Sequence, residues 1–250
     1  MAMRSSVTYP AKRRRKNKPI IIIGGDKGGV GKSFVARVLA GWLRRLGYIV
    51  HGFDCDARNG HLDRYYGSSF TVDRTSLRSE NGWAHLFRGW EDADPNAVLL
   101  LDLPGNVGDS IEREAERVVR MAGAFDRDII HVWVADEEED SVILLERTHH
   151  LAPWAQTLVV LNGRFGANIG AFELWRDSEV RAEMLQNGGS ETLLPTLPIG
   201  VRTLIARTHC GFDDVTPARL SVYQNVDFDM WWSKVETALP GFGKMMEKLA

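Results

Sequence analysis

The chain has 250 residues, 44% hydrophobic and 26% charged, with a formal net charge of −2. That length supports one substantial core, and no apolar run approaches the roughly 18–20 residues of a membrane span. The basic N-terminus lacks the apolar stretch of a secretory signal, and the two cysteines, Cys55 and Cys210, furnish neither a disulfide framework nor a four-thiolate metal site, so a cytoplasmic protein is expected.

The small net charge conceals an asymmetry. Residues 1–18 hold Arg4, Lys12, Arg13, Arg14, Arg15, Lys16 and Lys18 and no acid; removing those seven from 31 leaves 24 basic against 33 acidic residues, a net of −9. The reading divides the chain into a basic, disordered tail, 1–18, and a single folded domain, 19–250. Such a tail is either an attractor for a polyanion such as DNA or an anionic membrane, or a solvated leader.

Short apolar runs then alternate with helical patterns. Strands are predicted at 19–24, 49–54, 97–103, 129–135, 157–162 and 192–197, each rich in Ile, Val or Leu, as strands buried on both faces are. Between the first two, Phe34, Val35, Val38, Leu39, Trp42, Leu43 and Leu46 recur at helical spacing, with Gly47 as a stop. A second stripe comprises Ile111, Ala115, Val118, Val119 and Ala122, and further helices are predicted over 137–149, 172–185 and 226–239. The alternation predicts an α/β fold: a mostly parallel sheet with helices on both faces, its ligand bound beyond the carboxyl ends of the strands.

Those ends carry the chemistry. The first strand runs into Gly-Gly-Asp-Lys-Gly-Gly-Val-Gly-Lys-Ser, residues 24–33, and then directly into an amphipathic helix. Glycines 28, 29 and 31 allow the backbone to curl with its N–H groups aimed at phosphate oxygens, and the helix adds its positive end. In such a P-loop Lys32 reaches the β- and γ-phosphates and the Ser33 hydroxyl suits Mg²⁺. The second strand ends in Asp54-Cys55-Asp56, which alternation places with both carboxylates on one side and Cys55 on the other. The third ends in Asp102, followed by Leu103-Pro104-Gly105, an exit that suits a mobile loop. Asn162 closes the fifth strand as either a base contact or a turn former. The acidic run 136–140 lies where a strand gives way to a helix, and negative charge there favours a helix N-terminus. The seven histidines show no zinc-ligand spacing.

The segment Lys27-Gly28-Gly29-Val30-Gly31-Lys32-Ser33 resembles the deviant Walker A motif of the ParA/MinD family of P-loop ATPases. The resemblance implies an Mg²⁺- and ATP-dependent switch that dimerises face to face, with Lys27 reaching the partner's phosphates and Lys27 and Lys32 serving catalysis. It further implies Asp54 and Asp102, with Ser33, near Mg²⁺, and Asp56 positioning the attacking water. The loop residues through Phe34 would contact the nucleotide, with Asn162 and Pro198 near the base. Two departures stand out: Asp26 occupies the first glycine position of the loop, and Ala57-Arg58-Asn59-Gly60 follows Asp56 where relatives continue Pro-Gln-Gly-Asn.

The substrate of such a switch divides three ways. Gly-Lys-Ser-Phe-Val-Ala and Asp-x-Asp-Ala-Arg-Asn resemble small ParA-like proteins encoded with plasmid transfer genes, which implies action on DNA in partition or conjugative mobilisation. A hydrolysis-stimulating partner of centromere-binding or relaxosome type is then expected. The alternative is a MinD-like membrane-surface switch, since Phe242, Met245, Met246 and Leu249 fall at helical spacing beside Lys244 and Lys248; packing of that helix on the body is the simpler expectation. The metabolic and iron–sulfur relatives need cysteine contexts that Cys55 and Cys210 do not provide.

Overall fold

The apolar runs become strands because helices cover both of their faces. In the computed structural model, which describes residues 16–25, 27–216 and 219–249, the seven strands are β1 (Ile20–Gly24), β2 (Ile49–Asp54), β3 (Val72–Arg74), β4 (Ala97–Asp102), β5 (Ile129–Ala135), β6 (Thr157–Asn162) and β7 (Ser190–Leu194). They form one parallel sheet in the order β3-β2-β4-β1-β5-β6-β7. All residues of β1, β4, β5 and β6 are buried.

Strand alternation sorts the side chains into two layers. Ile21, Ile23, Val98, Leu100, Ile130 and Val132 face a core shared with α1 (Lys32–Arg45), α2 (His61–Tyr66), α8 (Ile199–Thr208), α9 (Val222–Ala238) and α10 (Pro240–Lys248). Ile20, Ile22, Phe53, Leu99 and Leu101 face α3 (Glu80–Asp92) and α4 (Gly108–Ala124). Trp133, Ala135, Val159 and Leu161 pack on α5 (Asp140–Thr148), α6 (Glu173–Arg176) and α7 (Glu179–Gln186). Burying each large apolar side chain contributes roughly 1.5–3 kcal/mol against the entropy of ordering it.

Several boundaries differ from the sequence expectation for identifiable reasons. The predicted helix 172–185 is two helices, because Ser178 turns away to cap α7 by accepting the Arg181 N–H while its own hydroxyl donates to the Trp175 carbonyl. Helix α9 starts at Val222 because Ser221 and Gln224 form a reciprocal capping box. Strand β7 covers Ser190–Leu194, short of the predicted end at 197 and just ahead of Pro195, which has no N–H to give a ladder. Val119 is 42% exposed, outside the buried stripe of α4. Strand β3 and helices α2, α3 and α8 are additions.

Two terminal features were at issue. In α10, Phe242, Met245 and Met246 are buried, and the Trp42 ring meets Phe242 edge-on at 5.4 Å, so the apolar face of this helix is occupied by the body. At the other end, the Asn17 and Lys18 N–H groups donate to the Asp126 and Pro95 carbonyls, and Lys16 pairs with Asp128 at 2.9 Å. The basic residues Arg4 and Lys12 through Arg15 lie outside the described residues. No helix among the described residues is long and apolar enough to cross a membrane.

Candidate nucleotide site

Strand β1 lies between β4 and β5, so the connections on its two sides leave in opposite directions and open a crevice at its carboxyl end. The glycine-rich loop fills that crevice. Gly25, Gly29 and Gly31 take positive φ angles of 136°, 85° and 107°, and a Cβ on Gly25 would stand 2.7 Å from the Val134 carbonyl. By contrast, a Cβ on Gly28 or Gly29 would meet nothing within 4 Å, so open space lies beside the loop backbone at those two positions. Lys32 Nζ donates to the Lys27 carbonyl at 2.7 Å, spanning the loop. Asp26 lies outside the described residues.

Parallel register sets Asp54 of β2 directly beside Asp102 of β4. Both are buried, at 0% and 1% exposure. Asp54 is compensated: its carboxylate accepts the Asp56 N–H at 3.2 Å and the Asp63 N–H at 3.0 Å. Asp102 is not, since neither oxygen meets a hydrogen-bond partner of good geometry. Burial raises its pKa to about 7 against the pull of the nearby Ser33 hydroxyl, and the neighbouring Asp54 charge adds to the rise while Lys32 and Arg37 oppose it. An orphaned carboxylate beside a serine hydroxyl and a phosphate-type loop fits a hard divalent cation that keeps much of its water and takes few protein ligands. Cys55 is buried in the apolar layer that packs on α3 and α4.

Asp56 is half-buried just past the end of β2. Its Oδ1 accepts the Arg58 and Asn59 N–H groups at 2.9 and 3.1 Å, so it organises the turn 56–59. The same turn rests on Arg74 of β3, whose Nη2 donates to the Ala57 carbonyl at 3.0 Å; a Cβ on Gly60 would stand 2.9 Å from Arg74 Nε. Sequence reading missed Arg74 because its three-residue edge strand carries too short a pattern.

Lys27 does not stand free. Its ammonium pairs with Asp136 Oδ2 at 2.9 Å and with Glu138, and these two hydrogen bonds push its pKa above the ordinary lysine value. Asp136 is itself held in place: its Oδ1 accepts from the Ser141 hydroxyl at 2.7 Å and from the Glu138 N–H at 3.2 Å. Burial acts against ionisation of Asp136, but the Ser141 hydroxyl and Lys27 hold its pKa below the usual carboxylate range. The acidic run thus does more than precede a helix, because two of its members clasp the loop lysine.

A pocket of 180 Å³ opens next to Gly31, lined by Phe34, Arg37, Asn162, Arg164, Thr196, Leu197 and Arg202. Arg37 is half-buried, with Nε donating to the Ser33 carbonyl at 3.2 Å and its guanidinium 4.0 Å from the Tyr65 ring centroid. Pro198 is outside this lining; it lines a neighbouring groove together with Met230 and Trp231. Asn162 is at the pocket wall, but its amide Nδ2 donates to the Val30 carbonyl at 2.8 Å and its Oδ1 accepts the Arg164 N–H at 3.1 Å.

The chain is similar to known proteins. Residues 21–190 match the CobQ/CobB/MinD/ParA nucleotide binding domain. Protein MobD of Acidithiobacillus ferrooxidans is 27% identical over 224 residues, covering 90% of this chain and 97% of the relative. The cytosolic Fe-S cluster assembly factor CFD1 of Yarrowia lipolytica is 30% identical over 130 residues, covering 51% of this chain but 43% of that protein. Among solved structures, the MinD cell division protein of Aquifex aeolicus aligns over 88% of this chain and 97% of its own, at 16% identity and a TM-score of 0.44. With the family match spanning more than half the chain and the phosphate-type loop at the head of the sheet, the protein belongs to the CobQ/CobB/MinD/ParA nucleotide-binding family.

Proposed function

We propose that the chain is an Mg-ATP-dependent ATPase switch that dimerises on ATP and acts on DNA or a DNA-bound complex, in plasmid partition or conjugative mobilisation. The observation that carries this reading is the loop with two lysines in distinct settings: Lys32 spans the loop interior, whereas Lys27 sits at its rim on Asp136 and Glu138. An interior lysine serves the chain's own phosphates. A rim lysine would leave its carboxylates for phosphates across an interface, as an arginine finger reaches its target.

In this reading Gly28, Gly29, Val30 and Gly31 present backbone N–H groups to the phosphates, and Ser33, Asp54 and Asp102 would hold Mg²⁺, the aspartates through water. Bound Mg²⁺ supplies charge neutralisation at the phosphates. Asp56 would orient the attacking water once the turn 56–59 closes, and Arg74 would hold that turn. ATP would bias the closed, dimeric state and hydrolysis would release it, the two states differing in which groups Lys27 pairs with. Hydrolysis would be slow until a partner protein stimulates it. DNA binding would come from basic side chains of the dimer and the N-terminal tail. The apolar face of α10 is buried against the body, which removes the helical pattern on which the membrane alternative rested.

Two variants test the chemistry. Lys32→Ala is expected to abolish nucleotide binding. Asp56→Ala is expected to keep binding and lose hydrolysis; hydrolysis at the wild-type rate would remove Asp56 from its role.

A further inference from the structure

Asn162 ends β6, two strands away from the strand that feeds the loop. It is 4% exposed and both ends of its amide are engaged. Nδ2 donates to the Val30 carbonyl at 2.8 Å, and Oδ1 accepts the Arg164 N–H at 3.1 Å. The contact also crowds Gly31 on the same edge of the Val30–Gly31 peptide: a Cβ there would stand 2.3 Å from Asn162 Nδ2. Gly31 also takes a φ of 107°, and its carbonyl accepts the Phe34 and Val35 N–H groups at 3.0 Å as the first turn of α1.

A trans peptide is planar, and its C=O and N–H point in opposite directions. Holding the Val30 carbonyl on Asn162 therefore holds the Gly31 N–H facing away from Asn162. The hydrogen bond is buried, where a loose carbonyl is costly, so it sets the peptide plane firmly. We propose that Asn162 is a positioning residue of the phosphate loop: it acts on bound phosphates through the orientation of the Val30–Gly31 peptide. The inference rests on the nucleotide-binding reading of this loop and deepens it.

The two roles separate by ligand. A base reader matters only to ligands with a base, whereas a loop-positioning residue matters equally to ATP and to inorganic tripolyphosphate. The experiment measures displacement of a fluorescent ATP analogue by Mg-ATP and by Mg-tripolyphosphate, in the wild type and in Asn162→Ala. The Asn162→Asp variant keeps the acceptor for the Arg164 N–H and loses the donor to Val30, and it serves if the alanine variant does not fold. Loss of one buried hydrogen bond at the loop is expected to weaken both ligands by the same factor, about tenfold. Weakening of ATP with tripolyphosphate unchanged would overturn the proposal and return Asn162 to the base. No binding of either ligand by the wild type would instead overturn the nucleotide reading itself.

Discussion

A buried histidine makes the fold acid-sensitive by an amount that follows from its surroundings. His131 lies inside β5, 1% exposed, with Nδ1 unpartnered, and its Nε2 is placed 3.2 Å from where a Cβ on Gly24 would sit. Burial lowers its pKa from 6.5 to about 4, with the charges of His150 and His149 adding to the effect. The unfolded chain therefore binds a proton through pH 6.5 that the folded chain refuses until about pH 4. Stability is fully present above pH 6.5 and falls as pH drops through that window, because the unfolded state binds more protons there. The gap corresponds to about 3 kcal/mol when complete, and to about 2 kcal/mol between pH 7.5 and pH 5.0. Urea denaturation of the wild type and of His131→Leu at those two pH values isolates the effect, since the other titrating groups cancel in the comparison. The wild type is expected to lose about 2 kcal/mol more than the variant. Equal losses in both proteins would refute the reasoning.

Two further outcomes follow from the site. Glu138→Gln removes one of the two charges that hold Lys27 and is expected to bring ATP-dependent dimerisation to lower protein concentration, read by light scattering; an unchanged midpoint would mean the clasp does not compete with the interface. Asp102→Asn removes a buried carboxylate with no good hydrogen-bond partner. It is expected to raise the melting temperature of the metal-free protein while abolishing the Mg²⁺ dependence of nucleotide binding, a pair of opposite shifts that calorimetry and a binding titration check together.

What the sequence revealed depended on the range over which the signal acts. Strands β1, β4, β5 and β6 were legible because each is a continuous buried run, and the loop because strand, glycines, lysine and helix follow one another without interruption. Helix α3 was equally visible in principle: Trp83, Leu86, Phe87 and Trp90 fall at helical spacing, with Ser79 capping the Gly82 N–H. Strand β3 was not visible, since three residues at a sheet edge carry no periodicity. The clasp on Lys27 was beyond sequence reach for a different reason. Lys27 and the Asp136–Glu138 pair are more than 100 residues apart, and only the adjacency of β1 and β5 brings their ends together. The same holds for Asn162, read as either a base contact or a turn former: only the sheet order brings its amide to Val30.

The account stands or falls on whether nucleotide state controls a surface-binding dimer. The most direct measurement is binding of the Asp56→Ala protein to nonspecific duplex DNA with Mg-ATP and with Mg-ADP across a salt series. The account predicts binding with ATP alone, by a dimer, falling steeply as salt rises because phosphate contacts release counterions. Equal binding in both nucleotides, or none in either, would contradict it.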